Sequence, residues 1–137
     1  MNTKEIKAYL MQYRESMKRT HAIADHLTEL RNICEKLSAN DINRKELNRA
    51  IKELAVATDK AGDEITRLVR LEKEIEYVIG KSEEPFRTIL YERYINGKTW
   101  EQIAVQMHYC FRHTTKLHGM ALEALKDVLE CPIRFVL

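Results

Sequence analysis

Apolar residues recur at heptad spacing through two long stretches of this 137-residue chain, and that spacing admits little besides long amphipathic helices. In the first stretch, Asn2 to Leu37, the row runs Ile6, Leu10, Tyr13, Met17, Thr20, Ala24, Leu27, Leu30, Cys34 and Leu37. Its steps alternate four and three from Ile6 to Leu27, and charged residues fill the other faces. A continuous helix of this length spans roughly 50–55 Å. In the second stretch the row is Leu47, Ile51, Leu54, Thr58, Ala61, Ile65, Leu68, Glu72, Ile75 and Ile79, with Leu71 and Val78 widening the stripe. It ends at Gly80, which reads as a C-terminal cap, and Gly62 inside it costs ~1 kcal/mol relative to Ala. Ser38-Ala-Asn-Asp41 interrupts the pattern, with Asn40 or Asp41 placed to cap the second helix. Two helices joined so briefly fold back as an antiparallel hairpin. A hairpin buries only one seam, so the expectation is a homodimer through these N-terminal helices. The alternative is packing along the C-terminal part of the same chain.

With four Gly, two Pro and abundant Leu, Ala, Glu, Lys and Arg, the composition favours an all-α protein. No apolar run approaches the ~20 residues that span a bilayer, and the N-terminus lacks a signal pattern. No membrane association and a cytoplasmic location are therefore expected. Cys34, Cys110 and Cys131 form no C-x-x-C pair, and His21 with His26, like His113 with His118, stand five apart, off the spacing of ligands on one helical face. No metal and no cofactor is expected. No nucleophile, paired carboxylate or phosphate-binding glycine loop is present, so an enzyme is the least expected class.

After Gly80 the pattern changes to short helices with tight turns. Ser82-Glu-Glu-Pro85 is a helix start, and Phe86, Ile89, Leu90, Tyr94 and Ile95 supply the inner face of that helix. Asn96-Gly97 is a turn dipeptide. Thr99-Trp-Glu-Gln102 is a capping box, opening a helix from Trp100 to Met107 with Ile103, Ala104 and Met107 inward. His108-Tyr109-Cys110 forms the next turn, and Phe111 opens a longer helix with Leu117, Ala121, Leu122 and Leu125 inward. Trp100 reads as a core anchor, Cys110 as a poor N-cap, and the histidines as surface or turn residues. The organisation is then a helical hairpin over 1–80, a three-helix helix-turn-helix unit over 81–130 and an apolar tail over 131–137.

Between Gln102 and Leu122 there is no Asp or Glu, although charged residues make up 32% of the chain and the net charge is only +2. A short helix, a three-residue turn and a longer helix free of carboxylates is what a major-groove reader needs, since phosphate repels carboxylates at short range. Phe111, Arg112, His113, Thr115 and Lys116 are the candidate DNA-facing residues. Arg112 offers a planar fork suited to guanine O6 and N7, and Lys116 and Thr115 sit one turn on.

At these residues the chain resembles a known family. Leu90-Tyr-Glu-Arg-Tyr-Ile-Asn-Gly-Lys-Thr-Trp-Glu-Gln-Ile-Ala is similar to the start of the sigma-70 region-4 helix-turn-helix. Thr99-Trp-Glu-Gln-Ile-Ala and Arg112-His-Thr-Thr-Lys-Leu-His-Gly-Met-Ala-Leu122 look like small phage and prophage regulators of the ArpU and RinA late-gene activator type. The resemblance covers the C-terminal third. It implies promoter or operator double-stranded DNA as partner, RNA polymerase as a second partner, a bacterial host cell, and Phe111, Arg112, His113, Thr115 and Lys116 as the DNA-facing positions. Two competing readings are a small terminase-like DNA-packaging subunit and a helical interaction module that binds no DNA.

Overall fold

A computed structural model describes residues 2–39 and 44–130, in which the chain forms five helices and no strand. These are α1 (Thr3–Ala39), α2 (Arg44–Gly80), α3 (Phe86–Tyr94), α4 (Trp100–Met107) and α5 (Phe111–Leu129). The expected cap at Asn40 or Asp41 and the apolar tail from Cys131 lie outside the described residues. The described chain divides into two compact units. One takes α1 up to Glu15 together with everything from Arg70 onward; the other is Ser16–Val69.

The first unit holds the larger core. Ile6 and Leu10 of α1, Ile75, Val78 and Ile79 of α2, Ile89, Leu90 and Tyr94 of α3, Ile103 of α4 and Leu125 and Leu129 of α5 are all buried. Each such aliphatic side chain contributes about 1.5–3 kcal/mol on leaving water. Helices α3, α4 and α5 pack on one another, with Phe86, Trp100, Met107 and Tyr109 closing around Ile89, Ile103 and Leu117. Trp100 thus takes the expected anchoring place, half-buried on that cluster.

The turn between α3 and α4 is held from three directions. Gly97 takes a left-handed φ of 68°, where a residue with a Cβ is strained. Glu92 accepts from Lys98 Nζ at 2.7 Å and from Asn96 Nδ2 at 3.2 Å. Burial alone pushes its carboxyl up, but the hydrogen bonds from Lys98, Asn96 and Gln106 outweigh that and hold it below the usual carboxylate range. Arg93 Nη1 donates to the Lys98 carbonyl at 3.0 Å, with its guanidinium 4.6 Å from the Trp100 ring centroid. From α1, Arg14 Nη1 donates to the Ile95 carbonyl at 3.3 Å, and its guanidinium occupies the space that a Cβ on Gly97 would need. A second α1 contact is Tyr9, whose hydroxyl donates to Glu74 Oε1 at 2.8 Å.

Two expectations need correction here. Gly80 is the last helical residue of α2 and is not a left-handed cap; the Lys81 and Ser82 N–H groups donate to the Val78 and Ile79 carbonyls instead, in three-residue steps that tighten the helix end. The buried row also departs from the expected seam at Ala24 in α1 and at Ile51, Thr58 and Ile65 in α2, the other seam positions being buried or half-buried. In α1, Ser16 is fully buried, and Ile23 is half-buried where Ala24 is exposed. In α2, Ala50, Ala57 and Ala61 face inward, whereas Ile51 and Ile65 are 49% and 50% exposed and Thr58 is exposed too. Within the Ser16–Val69 unit, Arg19 Nε lies 3.9 Å from Glu64 Oε2, and His26 shares a groove with Lys52, Glu53, Val56, Ala57 and Lys60.

Candidate nucleic-acid interface

The α4–α5 connection sets how α5 is presented. Thr99 caps α4: its Oγ1 accepts from the Gln102 N–H at 3.2 Å, and Gln102 Oε1 accepts from the Thr99 N–H at 2.9 Å, a complete capping box. The helix stops at His108, which takes a left-handed φ of 60° and donates its backbone N–H to the Val105 carbonyl at 3.3 Å. Cys110 then caps α5 through sulfur. The His113 N–H donates to Cys110 Sγ at 3.4 Å, a long bond to a weak acceptor, in keeping with the poor N-cap expected there. Thr114 is fully buried and donates its hydroxyl to the Cys110 carbonyl at 3.0 Å, fixing the inner side of the first turn.

With that turn anchored, the five candidate residues fall at the start of α5. Phe111, its first residue, is 49% exposed. Arg112, His113 and Lys116 are exposed, and Thr115 is half-buried with its hydroxyl donating to the Arg112 carbonyl at 3.0 Å. That bond occupies the Thr115 proton and leaves its oxygen free to accept. Tyr109 joins this group, although the charge pattern does not single it out. Its ring meets His113 edge-on at 4.8 Å between centroids, so the turn residue steadies the imidazole one helical step further on. The i, i+4 aromatic spacing was the available signal. The positive end of the helix dipole lies at this same turn, which has no acid. Farther along, Glu123 is tied to Lys126 at 2.9 Å.

Comparison with protein-family models, with curated proteins and with solved structures returned no match.

His118 corrects the expectation that the histidines lie on the surface or in turns. It is 8% exposed, shares a 2.6 Å hydrogen bond between Nε2 and the Tyr94 hydroxyl, and has its ring centroid 4.4 Å from that of Trp100. Burial, and then the nearby charges of Lys7 and Arg93, lower its pKa from 6.5 to about 4. Burial likewise pushes Tyr94 up to about 12, so both partners stay neutral near pH 7. This pair packs α3 on α5 and takes no part in the exposed face. Among the described residues no group of three or more His, Cys, Asp or Glu is placed to hold a metal ion, and no helix is long and apolar enough to cross a membrane. A shallow groove on α4, lined by Lys98, Glu101, Gln102, Val105 and Gln106, contains none of the five candidates.

Proposed function

We propose that this protein is a sequence-specific DNA-binding regulator without catalytic activity. Helices α3 to α5 act as a helix-turn-helix unit, and α5 enters the major groove with Phe111, Arg112, His113, Thr115 and Lys116 toward the DNA. The observation that carries the reading is the exposed, carboxylate-free first half of α5, set behind a capped short helix and a rigid turn. Arg112 contributes specificity through bidentate contact with a base edge, and Lys116 neutralises phosphate. The resemblance to sigma region 4 and to phage late-gene activators points to promoter or operator DNA in a bacterial cytoplasm, with RNA polymerase as a further partner.

Helices α1 and α2 serve assembly as an antiparallel hairpin that brings two copies together. In the Ser16–Val69 unit, Arg19 faces Glu64 while His26 lies beside residues 52–60, so the α2 partner number falls as the α1 number rises. The outward isoleucines Ile51 and Ile65 add apolar surface on the same helix.

The test is selection of bound duplexes from random DNA, with the selected duplex then titrated across salt. Wild-type protein should retain DNA with an affinity that falls steeply with salt. Arg112→Ala should weaken binding to the selected site by about 1–3 kcal/mol, and Lys116→Ala should reduce the salt slope by about one. Failure of wild-type protein to retain any duplex at low salt defeats the proposal. A palindromic selected site would report the homodimer as well.

A further inference from the structure

Gly119 stands near the middle of α5, where glycine weakens a helix relative to alanine. Nothing among the described residues requires it. Its φ is not left-handed, it is exposed, and a Cβ built on it would meet no described atom within 4 Å beyond its own turn. The fold therefore keeps a helix-weakening residue at a place where alanine fits.

Its neighbours along the helix surface show what the missing side chain admits. Steps of four, three and four place Arg112, Lys116, Gly119 and Glu123 on one line of the exposed face. The line begins with two cations, passes a gap, and ends in a carboxylate already engaged by Lys126 at 2.9 Å. A polyanionic strand is attracted by Lys116 and repelled by Glu123. Along the axis, Gly119 lies about 4.5 Å beyond Lys116 and about 6 Å before Glu123. Gly62 in α2 is open in the same way, but the residues around it carry no charge pattern that names an occupant.

We infer that one sugar-phosphate strand of duplex DNA crosses α5 over Gly119, in van der Waals contact with the helix backbone, and that this crossing sets how deeply the N-terminal half of α5 enters the groove. The inference rests on the DNA-binding function proposed for α5. It adds a position-determining residue that offers no side chain at all. Glu123 marks the end of the footprint, and the second half of α5 lies outside the groove.

The experiment compares wild type, Gly119→Ala, Gly119→Leu and Gly62→Ala by thermal unfolding and by binding to the selected duplex and to a random-sequence duplex at low salt. Gly62 is an exposed, open glycine of α2, in the unit that does not contain α5, and serves as the control. Both Gly119 variants should melt higher than wild type, by about 4 °C or more, because the helix gains and nothing clashes. Both should bind either duplex more weakly, by about tenfold for Ala and further for Leu, while Gly62→Ala binds as wild type does. The salt slope should stay near that of wild type for Gly119→Ala, since no cation is lost. Variants that melt higher yet bind DNA unchanged would overturn the crossing while leaving the DNA-binding function intact. A lower melting temperature for Gly119→Ala would overturn it as well, by showing an internal need for the glycine. Absence of duplex binding by wild type would defeat the underlying function itself.

Discussion

Acidification should weaken the fold through one histidine, by an amount that the structure sets. His118 is buried among α3, α4 and α5, bonded to Tyr94 and packed on Trp100, and its pKa is lowered from 6.5 to about 4. Because the folded value lies below the unfolded one, the unfolded chain takes up the proton first. The contribution of neutral His118 is therefore fully present above about pH 6.5 and is lost as the pH falls toward 4. Each unit of that interval is worth about 1.4 kcal/mol, so the full interval amounts to about 3 kcal/mol, an order-of-magnitude figure. Against a typical domain stability of about 5–15 kcal/mol, this is a large share. Trp100 is the only tryptophan in the chain, and its ring lies against the histidine, so its fluorescence tracks this core directly. Urea unfolding at a series of pH values between about 7.5 and 4.5 should show stability falling in wild type. His118→Gln, which keeps a partner for the Tyr94 hydroxyl, should be less stable throughout but lack this part of the slope. The quantity to read is the difference between the two curves, since other groups titrate in both. Parallel curves for wild type and His118→Gln would refute the reasoning.

The turns supply three more tests. Gly97→Ala should destabilise by about 1–3 kcal/mol through left-handed strain and displacement of the Arg14 guanidinium; in an Arg14→Ala background the same change should cost less, and equal costs in the two backgrounds would exclude the clash. Thr99→Ala removes the α4 cap and should cost about 0.5–2 kcal/mol in urea unfolding, with loss of the capping box refuted as a stabiliser if the midpoint does not move. Cys110→Ser replaces sulfur by a better acceptor for the His113 N–H and should raise stability by up to about 1 kcal/mol; a lower melting temperature would show that the sulfur packs as well as caps.

The starts of α4 and α5 were legible to the residue because they are written locally: the Thr99 capping box and the break before Phe111 each act on their own turn, and the observed starts coincide with them. The Ser82-Glu-Glu-Pro85 start was not borne out in detail, since α3 begins only at Phe86, after Pro85, with no acid in its first turn and no side-chain cap. The seam of α1 was legible at every position but Ala24, whereas that of α2 was legible only in part. In α2 the row Leu47, Leu54, Ala61, Leu68 and Ile75 has an apolar neighbour on each side: Ile51 and Ile65 on one, Ala50 and Ala57 on the other. Hydrophobicity favours the isoleucines, yet the alanines are the ones buried. For His118 the residue type pointed to the surface and its position pointed inward. It lies four residues from both Thr114 and Leu122 on the buried face of α5, and position decides. At the candidate interface the exposed cations were readable from charge pattern alone, but the Tyr109–His113 contact and the openness around Gly119 depend on atoms from neighbouring turns.

The hook of Arg14 over the Gly97 turn carries a consequence for how the chain acquires its shape. The compact unit that presents α5 is built from the first fifteen residues and from the stretch beginning at Arg70, so its walls are separated by more than fifty residues of the other unit. On a growing chain, Arg14 emerges early and its acceptor, the Ile95 carbonyl, only 81 residues later. The Ser16–Val69 stretch, by contrast, needs only nearer neighbours. The start of α5 is therefore the last part to become rigid, because contacts of such long sequence separation form late and slowly. For the same reason a fragment beginning at Lys81 would lack Arg14, which holds the Ile95 carbonyl, and the buried Ile6, Leu10, Ile75, Val78 and Ile79 of the same unit, and aggregation rather than a free-standing fold is the expected product.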